Sequence, residues 1–291
     1  MPGVGMRIAL VTCRRLPDLD PDDRPLADVL ARRGHHVAPA IWDDDAIDWA
    51  SFDVALLRST WDYFNRRDEF LAWATRVAAV TRLLNPLDLV HWNSHKSYLV
   101  GLRERGAPVI PTELVTAGSA VDVRHRMRAQ GWKRAVLKPA VSADAFGTIL
   151  VHESRTAEAQ AHADALLAER DLMIQPYFSS VEEPGERCLV HIDGRFSHAI
   201  RKRSHFLGGR HVGPEGVAVD AAIDELDAAA TILRLSGAEN VLYARVDLAR
   251  DDSGRPCLME LELVEPTLFF TIAPGAAERM ADALEARAPV P

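Results

Sequence analysis

Near the C-terminus two short runs alternate charge and apolarity so regularly that they constrain the chain more than any other feature. Residues 242–249 and 257–263 flank a turn at Asp251-Asp252-Ser253-Gly254 and read as a β-hairpin. Side chains alternate faces along a strand, so Tyr243, Arg245 and Asp247 share one face and Ala244, Val246 and Leu248 the other. In the second strand the same rule groups Leu258, Glu260 and Glu262 against Cys257, Met259, Leu261 and Leu263. The apolar sets fit a common core, which leaves Arg245, Asp247, Glu260 and Glu262 projecting together. Three carboxylates that close repel one another unless solvent or a metal intervenes. An oxygen-only set suits Mg²⁺, which takes one or two carboxylates together with substrate phosphates. The bland alternative is a solvated face with an Arg245–Glu260 ion pair across the strands.

Upstream, the order of elements is α/β. Residues 7–12 form a buried strand, followed by an acidic, proline-containing turn and a helix whose Leu26, Val29 and Leu30 share a face up to Gly34. Strands at 36–42 and 54–58 and a helix at 69–80 complete a small unit with a parallel sheet. A helix over 93–105, carrying Lys96, stops at Gly106, and Pro108 and Pro111 frame an extended linker. A second unit has helices at 120–130 and 157–169 and strands at 135–138, 148–152 and 172–175. A third starts with a hairpin at 187–202, turning at Asp193-Gly194, and continues through a helix at 221–235 into the final hairpin. We divide the chain at 1–92, 93–177 and 178–291.

Lys138 ends a strand and is followed by a loop with Ser142 and Gly147, a setting in which an ammonium and backbone N–H groups can surround phosphate oxygens. Gln175, Pro176, Tyr177 and Phe178 end a strand at a unit boundary and offer backbone groups to an adenine edge. Arg58 ends a strand of the first unit, where open α/β sheets place ligands, and suits bidentate binding of a carboxylate. Trp61, Asp62 and Tyr63 follow on the same loop. Arg201, Lys202 and Arg203 close another strand and are candidates for phosphate or substrate, with His205 and His211 in the loop beyond. Each of these residues taken singly is as well explained by an exposed charge or an ordinary connection.

The ordered series Lys96, Lys138-Pro139, Gln175 to Phe178, Gly185-Glu186-Arg187, Arg245-x-Asp247 and Glu260-x-Glu262 resembles the ATP-grasp superfamily over residues 85–275. The resemblance implies an N-terminal α/β domain, a mobile central lid and a C-terminal catalytic domain, with ATP and Mg²⁺ as cofactors. It implies Lys96, Lys138, Ser142 and Gly147 at the phosphates. Gln175 to Phe178, Glu183 and Glu186 would surround the rest of the nucleotide, with Asp247, Glu260 and Glu262 at the metal. Arg245 resembles the arginine that D-alanine–D-alanine ligases place on the acyl phosphate, and with Lys138 and Lys202 it makes the catalytic set. The chain departs from the pattern at Glu262, where relatives carry Asn, and in a lid loop with a single glycine. Glu265-Pro266-Thr267 stands where relatives have a Ser-Pro segment, and a carboxylate there suits a substrate ammonium. Residues 57–63, 138–143 and 259–266 further resemble the cyclo-ligases that close O-ureido-serine to cycloserine. That implies carboxylate activation by ATP and attack by an internal nitrogen, with Arg58, Trp61, Asp62, Tyr63, Arg201 and Glu265 around a small amino-acid-like substrate. An intermolecular amino-acid ligase is the runner-up, and a two-lobed binding protein the non-enzymatic alternative.

Other classes fit poorly. A net charge of −8 argues against a nucleic-acid surface. Three scattered cysteines suggest a reducing compartment, buried thiols and no disulfide framework. No apolar run is long enough for a membrane span and the N-terminus lacks a signal-peptide core, so the expectation is a cytoplasmic protein, for which a homo-oligomer is compatible. Gly3-Val-Gly5 precedes the first strand, which disfavours a nicotinamide-binding fingerprint, and a Walker motif is absent.

Overall fold

The structure is a computed structural model that describes residues 5–143, 145–202 and 216–287. It contains three sheets. The first unit runs β1 (Arg7–Thr12), α1 (Arg24–Arg32), β2 (His36–Ile41), β3 (Val54–Ser59), α2 (Arg67–Ala78) and β4 (Arg82–Leu84). These strands form a parallel sheet in the order β2-β1-β3-β4. Helices cover both faces of a parallel sheet, which is why β1 and β3 read as unbroken apolar runs. Helix α1 buries Leu26, Val29 and Leu30 and stops as the chain turns through Gly34 at φ +89°, where His35 N–H donates to Leu30 O.

Two helices follow, α3 (Leu87–Asn93) and α4 (Tyr98–Glu104), where the sequence pattern suggested one. The chain breaks between them at residues 94–97, so Lys96 lies in a turn and not on a helix. Its N–H donates to Ala140 O at 2.8 Å, a bond that a continuous helix would not allow. The linker is extended as expected and also edges a sheet: Leu258 N–H donates to Pro108 O at 2.7 Å and Ile110 N–H to Leu258 O at 3.0 Å.

The central unit comprises β5 (Glu113–Val115), α5 (Val123–Ala129), β6 (Arg134–Pro139), β7 (Ile149–His152), α6 (Thr156–Leu167) and β8 (Leu172–Pro176). Its antiparallel sheet, β5-β8-β6-β7, packs Leu137 and Ile174 against Met127, Ala163 and Leu167 of the helices. The last unit has β9 (Glu186–Ile192), β10 (Arg195–Lys202), β11 (Val217–Val219), α7 (Ile223–Ser236), β12 (Tyr243–Arg250), β13 (Pro256–Glu262) and α8 (Ala276–Arg287). Its sheet has the order β11-β10-β9-β12-β13. The two-residue turn between β9 and β10 has both Asp193 and Gly194 at positive φ, as a tight hairpin requires. Helix α8, absent from the sequence reading, joins the core under α1, with Met280 and Leu284 packed beside Leu26, Leu30 and Tyr243. Arg33 and His35 fasten it through Glu285 at 2.9 and 2.8 Å.

The final hairpin forms, with two corrections. Strand β12 is an interior strand between β9 and β13, buried along seven of its eight residues, which removes the solvated alternative. The register also shifts between Asp247 and Leu248, where β13 carries Met259 as an extra residue: Asp247 faces Glu260, but Leu248 faces Leu258. That bulge reverses the alternation, so Leu258 enters the core and Met259 lines the cleft, opposite to the simple pattern.

Candidate active site

A cleft of about 740 Å³ lies between the central and last sheets, with the first unit closing one end. Strands β12 and β13 form its floor. Arg245 and Asp247 point the same way from β12, and the register sets Glu262 and Glu260 opposite them. Arg245, 5% exposed, donates from Nε to Asp247 Oδ1 at 2.9 Å and from Nη2 to Oδ2 at 2.8 Å. The same Nη2 reaches Glu262, so the arginine pairs with Glu262 and not with Glu260. Glu260 instead meets Lys96 at 3.1 Å, and Lys96 Nζ also donates to Ser142 O at 2.6 Å. Lys202 and Glu186, from β10 and β9, face each other at 3.6 Å. Lys138, at the end of β6, lines the roof with Ser142 and Thr148.

Burial and charge set the ionisation of these groups. Burial opposes charge on Asp247, but Arg245 and Lys202 outweigh it and hold the carboxyl below its ordinary range. Lys96 and Lys138 likewise overcome burial at Glu260. Burial wins at Glu262, which is pushed up to about 7 despite Arg245, and at Glu265, pushed up to about 8 with help from the Glu262 charge. Burial, with Lys96 nearby, lowers the pKa of Lys138. Arg245 stays fully charged because Asp247 and Glu262 outweigh its burial.

Most of the residues expected at the site share this cleft, including Gln175, Pro176, Tyr177, Phe178, Trp61, Tyr63 and Glu265. The Gln175 side chain is turned to the linker, where Nε2 donates to Thr112 Oγ1 at 2.9 Å. Tyr63 hydrogen-bonds Glu265. Gly147 adjoins the cleft at φ +64°, and a Cβ there would come within 2.9 Å of Pro139 Cγ. Gly147 and four other candidates do not line the wall themselves. Arg58 is 1% exposed, with Nε donating to Asp23 Oδ1 at 2.8 Å and Nη2 to Pro266 O at 2.7 Å, so no edge remains for a substrate carboxylate. Asp62 accepts from Trp42 Nε1 at 2.8 Å. Arg201 lies on β10 opposite Arg187 and Val217, and Glu183 precedes Pro184 outside the wall. Arg203, His205 and His211 lie outside the described residues. Cys13 and Cys188 are buried as expected, and Cys257 is half-buried.

The structure adds Asp20, Met259, Thr267 and Phe269 to the wall. Asp20 had a signal: it lies in the acidic turn after β1, at the end of the sheet where α/β folds bind ligands. Met259 had none, because its position follows from the bulge.

Comparison with known proteins agrees with this architecture. Residues 8–85 match the family model described as D-cycloserine synthetase DcsG, N-terminal domain. The chain is 36% identical to the cycloserine biosynthesis protein DcsG of Streptomyces lavendulae over 293 residues, covering 96% of this chain and 98% of the relative. The crystal structure of D-cycloserine synthetase DcsG superposes with a TM-score of 0.90 at 35% identity, over 96% of this chain and 99% of that one. The fold alone is shared with the ATP-grasp ligase PsnB in complex with minimal precursor, Mg and ADP, at a TM-score of 0.63 and 17% identity over 97% and 98% of the two chains. With more than a third of its residues identical along nearly its whole length, the chain belongs to the DcsG family of ATP-grasp ligases.

Proposed function

We propose that the protein is an ADP-forming cyclo-ligase that converts O-ureido-D-serine to D-cycloserine. The observation that carries this reading is the convergence of Lys96, Lys138, Lys202 and Arg245 on Asp247, Glu260 and Glu262 in one cleft. Whole-length similarity to a cycloserine biosynthesis protein supports the choice of substrate. The substrate carboxylate attacks the γ-phosphorus of ATP, giving an acyl phosphate and ADP. The oxyamine-side nitrogen then attacks the acyl carbon, phosphate leaves, and a five-membered ring closes. Water removes the carbamoyl group as CO₂ and ammonia.

The protein's part is chiefly electrostatic, since the nucleophile is already in the substrate and intramolecular effective molarities can reach about 10⁵ M or more. Lys96, Lys138 and Lys202 neutralise the transferred phosphoryl group, and Arg245 faces the oxyanion. The hinge from Gln175 to Phe178 borders adenine, and the central unit closes as a lid over the nucleotide. Asp247, Glu260 and Glu262 are the residues that would hold Mg²⁺. Their donors are hard oxygens, the kind of ligand that suits Mg²⁺. Bound there, Mg²⁺ supplies charge neutralisation at the phosphates. Glu265 takes the substrate ammonium.

The test is ADP release from ATP, Mg²⁺ and O-ureido-D-serine with no second amine, and mass spectrometry should find the heterocycle. Asp247→Ala or Glu260→Ala should lower the rate by about 10²-fold or more, with the fold kept. ADP that appears only with an added amine, together with a linear amide product, would replace this reading with intermolecular ligation.

A further inference from the structure

The segment after β13 has no regular structure, yet most of it is buried. Six consecutive carbonyls along it, from Leu263 to Leu268, accept hydrogen bonds from six different side chains. Asn85 Nδ2 donates to Leu263 O at 2.9 Å and Tyr243 Oη to Val264 O at 2.8 Å. Trp61 Nε1 donates to Glu265 O at 2.9 Å and Arg58 Nη2 to Pro266 O at 2.7 Å. Arg245 Nη1 donates to Thr267 O at 3.1 Å, and His198 Nε2 bonds Leu268 O at 2.9 Å. Buried carbonyls are usually satisfied by a ladder or a helix, whose position then shifts with the element. Here the donors come from the first unit and from β10 and β12, so the path of the segment is fixed between two units. Pro266 stiffens it further by fixing φ. Of these residues, Glu265 and Thr267 turn toward the cleft.

We infer that residues 263–268 are a preset strap that presents Glu265 and Thr267 to the ammonium-bearing end of the substrate. Arg58 and His198, neither of which lines the cleft, are positioning residues for that recognition. The inference rests on the amino-acid-ligase reading above but not on the identity of the amino acid. Both residues are themselves held. Arg58 is paired with Asp23 and lies over the rings of Tyr243 and Phe270. The other ring nitrogen of His198 bonds Ser197 Oγ at 2.9 Å, and that hydroxyl accepts from Arg279 Nε at 2.9 Å. A strap ordered before the substrate arrives spares the ordering cost at binding, so its loosening weakens substrate binding more than chemistry. The nucleotide is unaffected, because none of its proposed contacts lies on the strap.

The experiment compares His198→Leu, which removes the donor, with His198→Gln, whose amide can still donate to Leu268 O, and with Arg58→Lys, which keeps the charge beside Asp23. A Trp49→Phe variant, which perturbs packing against Phe52 and Trp73, neither of them in the cleft wall, controls for loss of Tm. His198→Leu and Arg58→Lys should raise the KM for the amino acid by about tenfold, with kcat and the KM for ATP within about twofold of wild type. His198→Gln should recover most of that loss, and Trp49→Phe should leave the KM unchanged at a comparable Tm. The inference is overturned if the KM values for ATP and the amino acid rise together, if they follow Tm across all four variants, or if Gln rescues nothing. Should Arg58→Lys not fold, the His198 pair decides. If wild type does not turn over O-ureido-D-serine, the cyclo-ligase reading fails alone. The same comparison is then read with whichever amino acid an ADP-release screen identifies.

Discussion

Glu265 carries a consequence that can be measured directly on the protein. Burial and the Glu262 charge push its carboxyl up to about 8, so at pH 7 without ligand it is mostly protonated. A substrate ammonium docking beside it favours the ionised form. Binding of a free α-amino acid at pH 7 should therefore release close to one proton. Calorimetry in two buffers of different ionisation enthalpy would show it, and Glu265→Gln should abolish the release. Heats that do not depend on the buffer would rule this role out. Glu265 was legible because a carboxylate in place of a small polar residue changes the charge that a site accepts. Arg58 was misleading for the opposite reason. A strand-end arginine at a ligand-binding edge looks available, and nothing local in the sequence says that Asp23, from another element, folds beneath it.

At the scale of elements, one fully buried side chain, that of Asn85, makes several of the bonds between the first and last units. Asn85 Nδ2 donates to Tyr243 O at 2.8 Å as well as to Leu263 O, and its Oδ1 accepts from Leu242 N–H at 3.0 Å. Asn85→Ala would leave three backbone groups unpaired in the interior, at a cost of about 3 kcal/mol or more. Urea unfolding should record that loss, and an unchanged midpoint would mean that the interface relaxes or admits water. The strands and their hairpins were readable because period-two patterns depend on neighbours in sequence. The shift at Met259, the break before Lys96 and the docking of α8 depend on partners far away in the chain, namely β12, Ala140 and α1. The carboxylate face survived the shift because Asp247, Glu260 and Glu262 all lie on one side of it.

For the whole molecule, stability should respond to mild acid through two imidazoles. Burial lowers both His191 and His198 to about 4, below the value near 6.5 expected of an unfolded chain. The unfolded state therefore binds protons first, and stability contributed by the neutral rings is lost as pH falls from about 6.5 toward 4, at no more than about 1.4 kcal/mol per pH unit for each ring. Glu262 and Glu265 act in the opposite sense, because their raised values let the folded state take up protons first. The difference between wild type and a His191→Gln/His198→Gln double variant isolates the imidazoles. Urea midpoints at pH 7, 6 and 5 should converge in acid, and parallel curves would refute the assignment.

The linker and the hinge together restrict how the roof of the cleft can travel. The chain enters the central sheet after Ile110, which is bonded to Leu258, and leaves it at Pro176 and Tyr177. The two crossings run side by side, tied by the bond from Gln175 to Thr112 and by the pairing of Glu113 with Ile174. Two adjacent pivots define a single line, as a pair of pins does for a door. Closure as proposed above would swing the roof about that line without sliding it along the floor, and would bring Lys138 and Ser142 to Glu260 along one arc.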